Sequence, residues 1–409
     1  MFTLLPHQQD TINWTKPQFA HLNQKRFGLF YAPRTGKTFI LLFLAAKFNV
    51  KCLIIVPKAL EAQWNTYNAQ YSQKIHTVIT KETFRRDHAS LEGYDGVIID
   101  EAHHFANPRS ALTKALMAYL TKYAIQYRWP ATGTPYRSNP MNIYALARII
   151  GVNWNYRTFI NTFYYEVKMG HRMIPMPKPH MEDELEAKIK EIGITLSIES
   201  VHVDYTQPEV YVEQFELTLE QRLAIRAIRE SLPIQRFAIQ HQIENGFKYS
   251  DGYDEERSYP SHKTARLFEL VNKYGKIAIV CKYTAQLDFY ERMFTRAKKK
   301  VFVISGKTPD RAAIIEEIKT TRYCVVLIQA QCSEGYTLAS ITVMVFATLP
   351  WSHVDHIQMK ERLVDLNKSI RNVYYYLNAG EIDPRIYQTI MNKQDFHEKI
   401  FLNPSYPQQ

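Results

Sequence analysis

Lys37 and Thr38 close the run Phe30-Tyr31-Ala32-Pro33-Arg34-Thr35-Gly36-Lys37-Thr38, which follows an apolar, strand-like segment and opens an apolar helix. In that context a turn can cradle phosphates. Backbone N–H groups and the positive end of the helix face the anion, the lysine reaches the β- and γ-phosphates, and the hydroxyl sits on Mg²⁺. Arg34, Thr35, Gly36, Lys37 and Thr38 are therefore candidate nucleotide-binding residues. The leading glycine of the full phosphate-loop pattern is absent, with Tyr31 in its place. A Gly-Lys-Thr at a turn also arises by chance, as the second copy Gly306-Lys307-Thr308 shows.

Roughly sixty residues later, Val97-Ile98-Ile99 ends in Asp100-Glu101, followed by Ala102-His103-His104. Two carboxylates at the end of an apolar strand, downstream of a phosphate loop, suit a pair in which Asp100 holds Mg²⁺ and Glu101 positions or deprotonates an attacking water. A third cluster, Thr132-Gly133-Thr134, again ends a strand. By itself it reads equally as a hydroxyl-rich turn. In order with the other two it reads as a coupling segment.

The elements that must position these residues recur as a short β-branched run, a polar turn and a helix. That is the layout of a parallel sheet with crossover helices, α/β in class. Strands are expected over residues 26–31, 52–56, 77–79, 97–99 and 128–131, then 276–281, 301–304, 324–328 and 343–346. Helices are expected over 39–48, 182–190, 285–294 and 309–318. Two similar lobes follow, 1–206 and 207–409, the first with an insertion after about residue 150. The span 159–262 looks less regular, and its Pro-rich stretch 173–179 and Tyr-rich stretch 249–259 read as linker or surface insertion.

At 409 residues the chain exceeds one comfortable core, so two domains are expected. A hydrophobic fraction of 46% and a charged fraction of 22% describe a folded protein without a membrane span. The N-terminal residues lack export features, so the chain is expected to stay inside a cell and not to be secreted. Cys52, Cys281, Cys324 and Cys332 lack metal-ligand spacing and read as reduced core or near-core thiols. The net charge of +11 favours a polyanionic partner.

Taken together these motifs resemble a superfamily 2 helicase core, and their continuations resemble the Swi/Snf-type DNA translocases. Leu5-Pro6-His7-Gln8 with Trp14 is similar to the family's adenine-contacting start, which implies that Gln8 reads adenine. Leu53-Ile54-Ile55-Val56-Pro57-Lys58 with Gln63-Trp64 matches the next motif, and Asn107-Pro108 and Asn139-Pro140 extend the match past the generic core. In the second half, Gly335 with Tyr336-Thr337-Leu338 resembles an ATP-facing loop. Gln358 and Arg362 resemble the arginine-finger helix, and Ile382-Asp383 its trailing strand and turn. The resemblance spans residues 4 to 395. It implies two RecA-like lobes, each a mostly parallel sheet flanked by helices, with the ATP site in the cleft between them and ATP and Mg²⁺ as cofactors. A lean core of this kind is compatible with a phage-encoded or mobile-element protein.

One departure matters: the family places a second arginine three residues after the first, and this chain has Asp365 there. An arginine finger is worth about 10³ or more in rate, so the departure implies a slow motor, a substitute in Lys368 or Arg371, or a protein partner that completes the site. Three functions stay open: a translocase on duplex DNA, a strand-separating helicase on single-stranded DNA or RNA, and a hydrolysis-impaired nucleic-acid clamp. Candidate backbone grips are Lys58, Arg85, Arg86, Arg137, Lys282 and Arg311, all of which also read as ordinary solvated charges. The aromatic fraction of 13% is mostly packing, with some capacity to stack bases.

Overall fold

A computed structural model describes residues 3–72, 76–136, 139–169, 172–178, 180–201, 206–228, 232–249, 257–332, 335–365, 370–392 and 396. The chain divides into two compact units, Met1–Tyr205 and Thr206–Gln409. Among the described residues no helix is long and apolar enough to cross a membrane.

The first unit carries β1 (Gly28–Tyr31), β2 (Cys52–Val56), β3 (Thr77–Thr80), β4 (Gly96–Ile99) and β5 (Tyr127–Pro130). Four of them form a parallel sheet in the order β3-β2-β4-β5. Parallel bridges Arg26 to Arg128 and Leu29 to Ala131 set β1 beside β5. Every residue of β1, β2 and β4 is buried, the pattern of strands covered on both faces. One face packs Leu53, Ile55, Val97 and Ile99 with Leu116, Leu146 and Ile189. The other packs Ile54, Val56 and Ile98 with Leu41, Leu44 and Trp64. Three motif-bearing turns thus leave the C-terminal ends of neighbouring strands, β4, β5 and β1, the edge at which parallel α/β sheets build their sites.

The rest of the unit is more ordered than its composition suggests. Tyr164–Met169 (β6) pairs antiparallel with Arg172–Pro177 (β7), so part of the Pro-rich stretch expected as linker is a hairpin strand. Proline is tolerated on a two-stranded edge because its missing N–H can face away from the partner. Gly193–Leu196 (β8) pairs parallel with β1, a strand the sequence reading did not place. The charged helix expected at 182–190 is found as Glu182–Ile192.

The second unit contains β9 (Glu209–Phe215), the short hairpin β10 (Phe247–Lys248) and β11 (Arg257–Ser258), then β12 (Lys276–Cys281), β13 (Val301–Ile304), β14 (Cys324–Gln329), β15 (Val343–Phe346) and β16 (Val373–Ala379). Its six-stranded sheet, β13-β14-β12-β15-β16-β9, is wholly parallel. Helices Leu219–Arg226 and Pro233–Glu244 occupy the span read as irregular. The helix expected from 309 starts at Arg311 because Asp310 caps it, its carboxylate accepting from the Ala313 N–H at 3.0 Å. Ile382 and Asp383 are not a strand and turn; they open the helix Ile382–Met391, and the strand is β16 before them. All four cysteines are free and buried.

Candidate nucleotide site

The helix Lys37–Lys47 begins where Gly36 adopts a left-handed φ of 80°. Arg34 is also left-handed, at φ 66°, a conformation glycine reaches without cost. The loop is braced from within: the Thr35 hydroxyl donates to the Ala32 carbonyl at 2.7 Å, and Lys37 Nζ donates to the Tyr31 and Ala32 carbonyls at 2.9 and 3.3 Å. Thr38 stands half-buried in the first helical turn.

Gln8 lies under this loop. Its Nε2 donates to the Thr35 carbonyl at 3.1 Å, its Oε1 accepts from the Leu5 N–H at 2.9 Å, and it is 2% exposed. The φ calls for glycine at 36, and a Cβ there would stand 2.0 Å from Gln8 Nε2 and displace that amide from under the loop. Thr11, from the same helix, meets the Tyr31 hydroxyl. Tyr31, standing where the usual pattern has glycine, is thus a packed strut.

Asp100 is buried at the end of β4. Its Oδ2 accepts from the Trp64 indole N–H at 2.7 Å and its Oδ1 from the Glu101 N–H at 3.0 Å. Burial, then the neighbouring Glu101 carboxylate, push the Asp100 pKa up to about 6, while Trp64 and the charge of Lys37 pull it back. The phosphate-loop lysine therefore acts electrostatically on the carboxylate expected to share its ligand. Glu101 itself is left-handed at φ 49°. Its Oε2 lies 3.2 Å from His103 Nδ1, which is 3.1 Å from Thr132 Oγ1. Gly133 abuts the phosphate loop, since a Cβ on it would meet Pro33 Cδ at 2.9 Å and the Tyr31 carbonyl at 3.5 Å. Thr134 N–H donates to Thr132 Oγ1 at 3.1 Å. The three sequence clusters are thus one structure, joined by contacts of Gly133 and by the bridge Glu101–His103–Thr132.

A hard cation fits this donor set. One desolvated carboxylate with acceptor capacity left on both oxygens, plus a hydroxyl at a helix start, is what Mg²⁺ takes from a protein when substrate phosphates and water supply the rest. Asp100 and Thr38 are the residues that would hold it. Among the described residues no group of three or more His, Cys, Asp or Glu could hold a metal.

Two contributors went unread in the sequence. Trp64 belongs to the motif that begins at Leu53, and its contact with Asp100 has no local signal because 36 residues separate them. His103 stood in plain view beside Glu101, but its span to Thr132 depends on β4 and β5 being neighbours.

In the second unit, Arg362 caps the helix His353–Glu361. Its Nε donates to the Gln358 carbonyl at 2.9 Å and its Nη1 to the Tyr336 carbonyl at 2.7 Å, beside Gly335 at φ 85°. Gln358 is buried. These residues form one local constellation within the unit. Asp365 follows Arg362 by three residues, beyond the end of the helix, Arg371 pairs with Glu209 at 3.3 Å, and Lys368 lies outside the described residues.

The candidate grips are scattered. Lys58 Nζ pairs with Glu61 Oε2 at 2.6 Å, and Arg86 forks onto its neighbour Asp87 at 2.7 and 2.8 Å. Arg85 is exposed on the same helix as Arg86. Lys282 Nζ stands 4.0 Å over the Trp351 ring, and Arg311 Nη2 donates to the Ser305 carbonyl at 3.1 Å. Arg137 lies outside the described residues.

Comparison with known proteins gives two domain matches: an SNF2-related domain over residues 83–192 and a helicase conserved C-terminal domain over residues 262–366. The first spans Asp100, Glu101 and Thr132–Thr134, and the second Gly335, Gln358 and Arg362. The DNA repair protein RAD5 of Gibberella zeae is 38% identical over 68 residues, a segment making up 16% of this chain and 6% of that protein. The Sulfolobus solfataricus SWI2/SNF2 ATPase core in complex with dsDNA is 17% identical at a TM-score of 0.42, over 95% of this chain and 91% of that one.

Proposed function

We propose that this chain, which matches an SNF2-related domain over residues 83–192 and a helicase conserved C-terminal domain over residues 262–366, is a Swi/Snf-type member of helicase superfamily 2 with two RecA-like α/β lobes, a nucleic-acid-stimulated ATPase that moves along DNA. The observation that carries the reading is the placement of Asp100-Glu101, Thr132-Gly133-Thr134 and the loop leading to Lys37 at the C-terminal ends of the neighbouring strands β4, β5 and β1, with Gly133 against Pro33. The likeness to a DNA repair protein supports DNA over RNA.

In this reading the N–H groups of residues 34–38 and the helix start bind the ATP phosphates, and Lys37 exchanges its loop carbonyls for phosphate oxygens. Mg²⁺, held by Thr38 and Asp100, neutralises phosphate charge when bound. Glu101 orients the attacking water and accepts its proton, with His103 fixing the carboxylate. Gln8 retains one amide N–H and one lone pair for adenine. Arg362 is assigned to the γ-phosphate. His103 transmits the state of Glu101 to Thr132 and Thr134. Lys58, Arg85, Arg86, Arg137, Lys282 and Arg311 are proposed to meet backbone phosphates, contacts that confer no sequence preference.

A second reading, a clamp that binds nucleic acid but hydrolyses slowly, is favoured by Asp365 at the second finger position and by the engagement of Arg362 with the Tyr336 and Gln358 carbonyls. Steady-state phosphate release with no nucleic acid, single-stranded DNA, duplex DNA and RNA separates the readings. The translocase reading expects strongest stimulation by duplex DNA, lost in Lys37→Ala and Glu101→Gln. Greater stimulation by single strands, with unwinding of a tailed duplex, supports a helicase instead. Binding without release above background supports the clamp.

A further inference from the structure

Trp64 is buried, 1% exposed, yet its one polar atom is aimed at Asp100 Oδ2 from 2.7 Å. A buried indole needs a partner for its N–H, but many acceptors would serve; this one is the carboxylate assigned to the metal. The helix that carries it, Glu61–Tyr71, follows directly on the Pro57-Lys58 segment at the end of β2. Lys58 is bound to Glu61, the first residue of that helix, and Trp64 stands one turn further on, on the same side of the helix. The helix also packs on the phosphate-loop helix, with Tyr67 and Tyr71 against Phe39 at ring-centroid distances of 5.1 and 5.3 Å. Phe39 is the neighbour of Thr38. One short helix therefore touches the elements bearing both proposed metal ligands and begins at a proposed phosphate grip.

We propose that Trp64 is a positioning residue that fixes the Asp100 carboxylate for the metal and relays to it whether Lys58 has taken a nucleic-acid phosphate. A phosphate at Lys58 competes with Glu61 for the ammonium. The released Glu61 changes the first turn of the helix, and the indole one turn later carries that change to Asp100 Oδ2. Partners of metal ligands that lie beyond the metal commonly govern affinity by about ten- to a hundredfold. The proposal rests on the ATPase reading above, and the test separates the two.

Mn²⁺ binding to the full chain with ADP, measured by electron paramagnetic resonance with and without duplex DNA, reports on the relay without turnover. In the unaltered chain DNA is expected to shift the Mn²⁺ dissociation constant by about fivefold or more, the usual scale of coupling between sites. In Trp64→Phe, which removes the N–H and keeps a ring, Mn²⁺ binding is expected to weaken about tenfold. The shift caused by DNA should then disappear. A Trp64→Phe chain that binds Mn²⁺ as the unaltered chain does, or that keeps the DNA effect, overturns the positioning role and leaves the ATPase reading standing. No nucleotide-dependent Mn²⁺ binding in the unaltered chain overturns the ATPase reading itself. Should Trp64→Phe fail to fold, the unaltered chain answers alone. Of its five tryptophan indole N–H resonances in an ¹⁵N spectrum, one is expected both to shift with duplex DNA and to broaden with Mn²⁺·ADP. If none of the five does both, the relay is overturned.

Discussion

Replacing Lys263 with methionine removes a cation from one of the most enclosed polar clusters in the second unit. Lys263 Nζ lies 2.7 Å from Asp383 Oδ2 and 2.5 Å from Asn245 Oδ1, with side-chain exposures of 1% for the lysine and 4% for the aspartate. His241 Nε2 holds the other carboxylate oxygen at 2.8 Å, and the Ala379 N–H donates to Oδ2 at 3.0 Å. Burial alone raises the Asp383 pKa, but Lys263 and His241 hold it well below the ordinary carboxylate range. At 2.7 Å and an effective dielectric of about 20, the ion pair is worth roughly 6 kcal/mol before the lysine's desolvation is subtracted. Stranding a buried charge costs about 3–5 kcal/mol. For a unit of about two hundred residues that lowers the midpoint of thermal unfolding by roughly 6–20 °C. Burial depresses His241 first, and the charge of Lys263 depresses it further. Without Lys263 the folded-state pKa of His241 moves up from its lowered position, so relative to the unaltered chain the variant recovers stability as pH falls and a protonated imidazole takes over part of the ammonium's role beside Asp383. The loss in Lys263→Met should therefore be smaller at pH 6 than at pH 8. Differential scanning calorimetry of the full chain at both pH values reads this, with Lys263→Met/Asp383→Asn expected to recover about 1–3 kcal/mol relative to Lys263→Met. A cost under about 1 kcal/mol, an equal cost at both pH values, or simple additivity in the double variant refutes the argument.

Three further outcomes are expected. Gly133→Ala puts a methyl 2.9 Å from Pro33 Cδ and should weaken ATP binding severalfold, measured by calorimetric titration, with the unfolding midpoint little changed. Arg34→Gly relieves a left-handed non-glycine residue at φ 66° and should stabilise the first unit by about 0.5–1 kcal/mol after the extra backbone entropy of glycine is counted, read by urea unfolding. Asp365→Arg restores the second finger position and should raise DNA-stimulated phosphate release at least about tenfold; no increase would place the limiting step elsewhere than in charge neutralisation.

The sequence by itself determined which residues make up the candidate site and much of the scaffold. Lys37-Thr38, Asp100-Glu101 and Thr132-Gly133-Thr134 each stand at the end of a strand-like run, and β2, β4, β12, β13 and β15 fall on the runs that pattern predicts, because strands of a parallel sheet covered by helices are near-continuous apolar stretches, even at the partly buried edge strand β13. Elements without that signature escaped: β9 has the exposed residues Val210, Tyr211 and Val212, β7 contains prolines, and β8 begins with glycine. Their strand character comes from partners, β16 for β9, β6 for β7 and β1 for β8. Only the tertiary structure decided that Trp64 holds Asp100, that Gly133 lies against Pro33, and that Lys263, His241 and Asp383 share one buried cluster. Local sequence encodes periodicity and turn chemistry, whereas these contacts join residues 36 to 142 positions apart that meet only once the order of the strands is set.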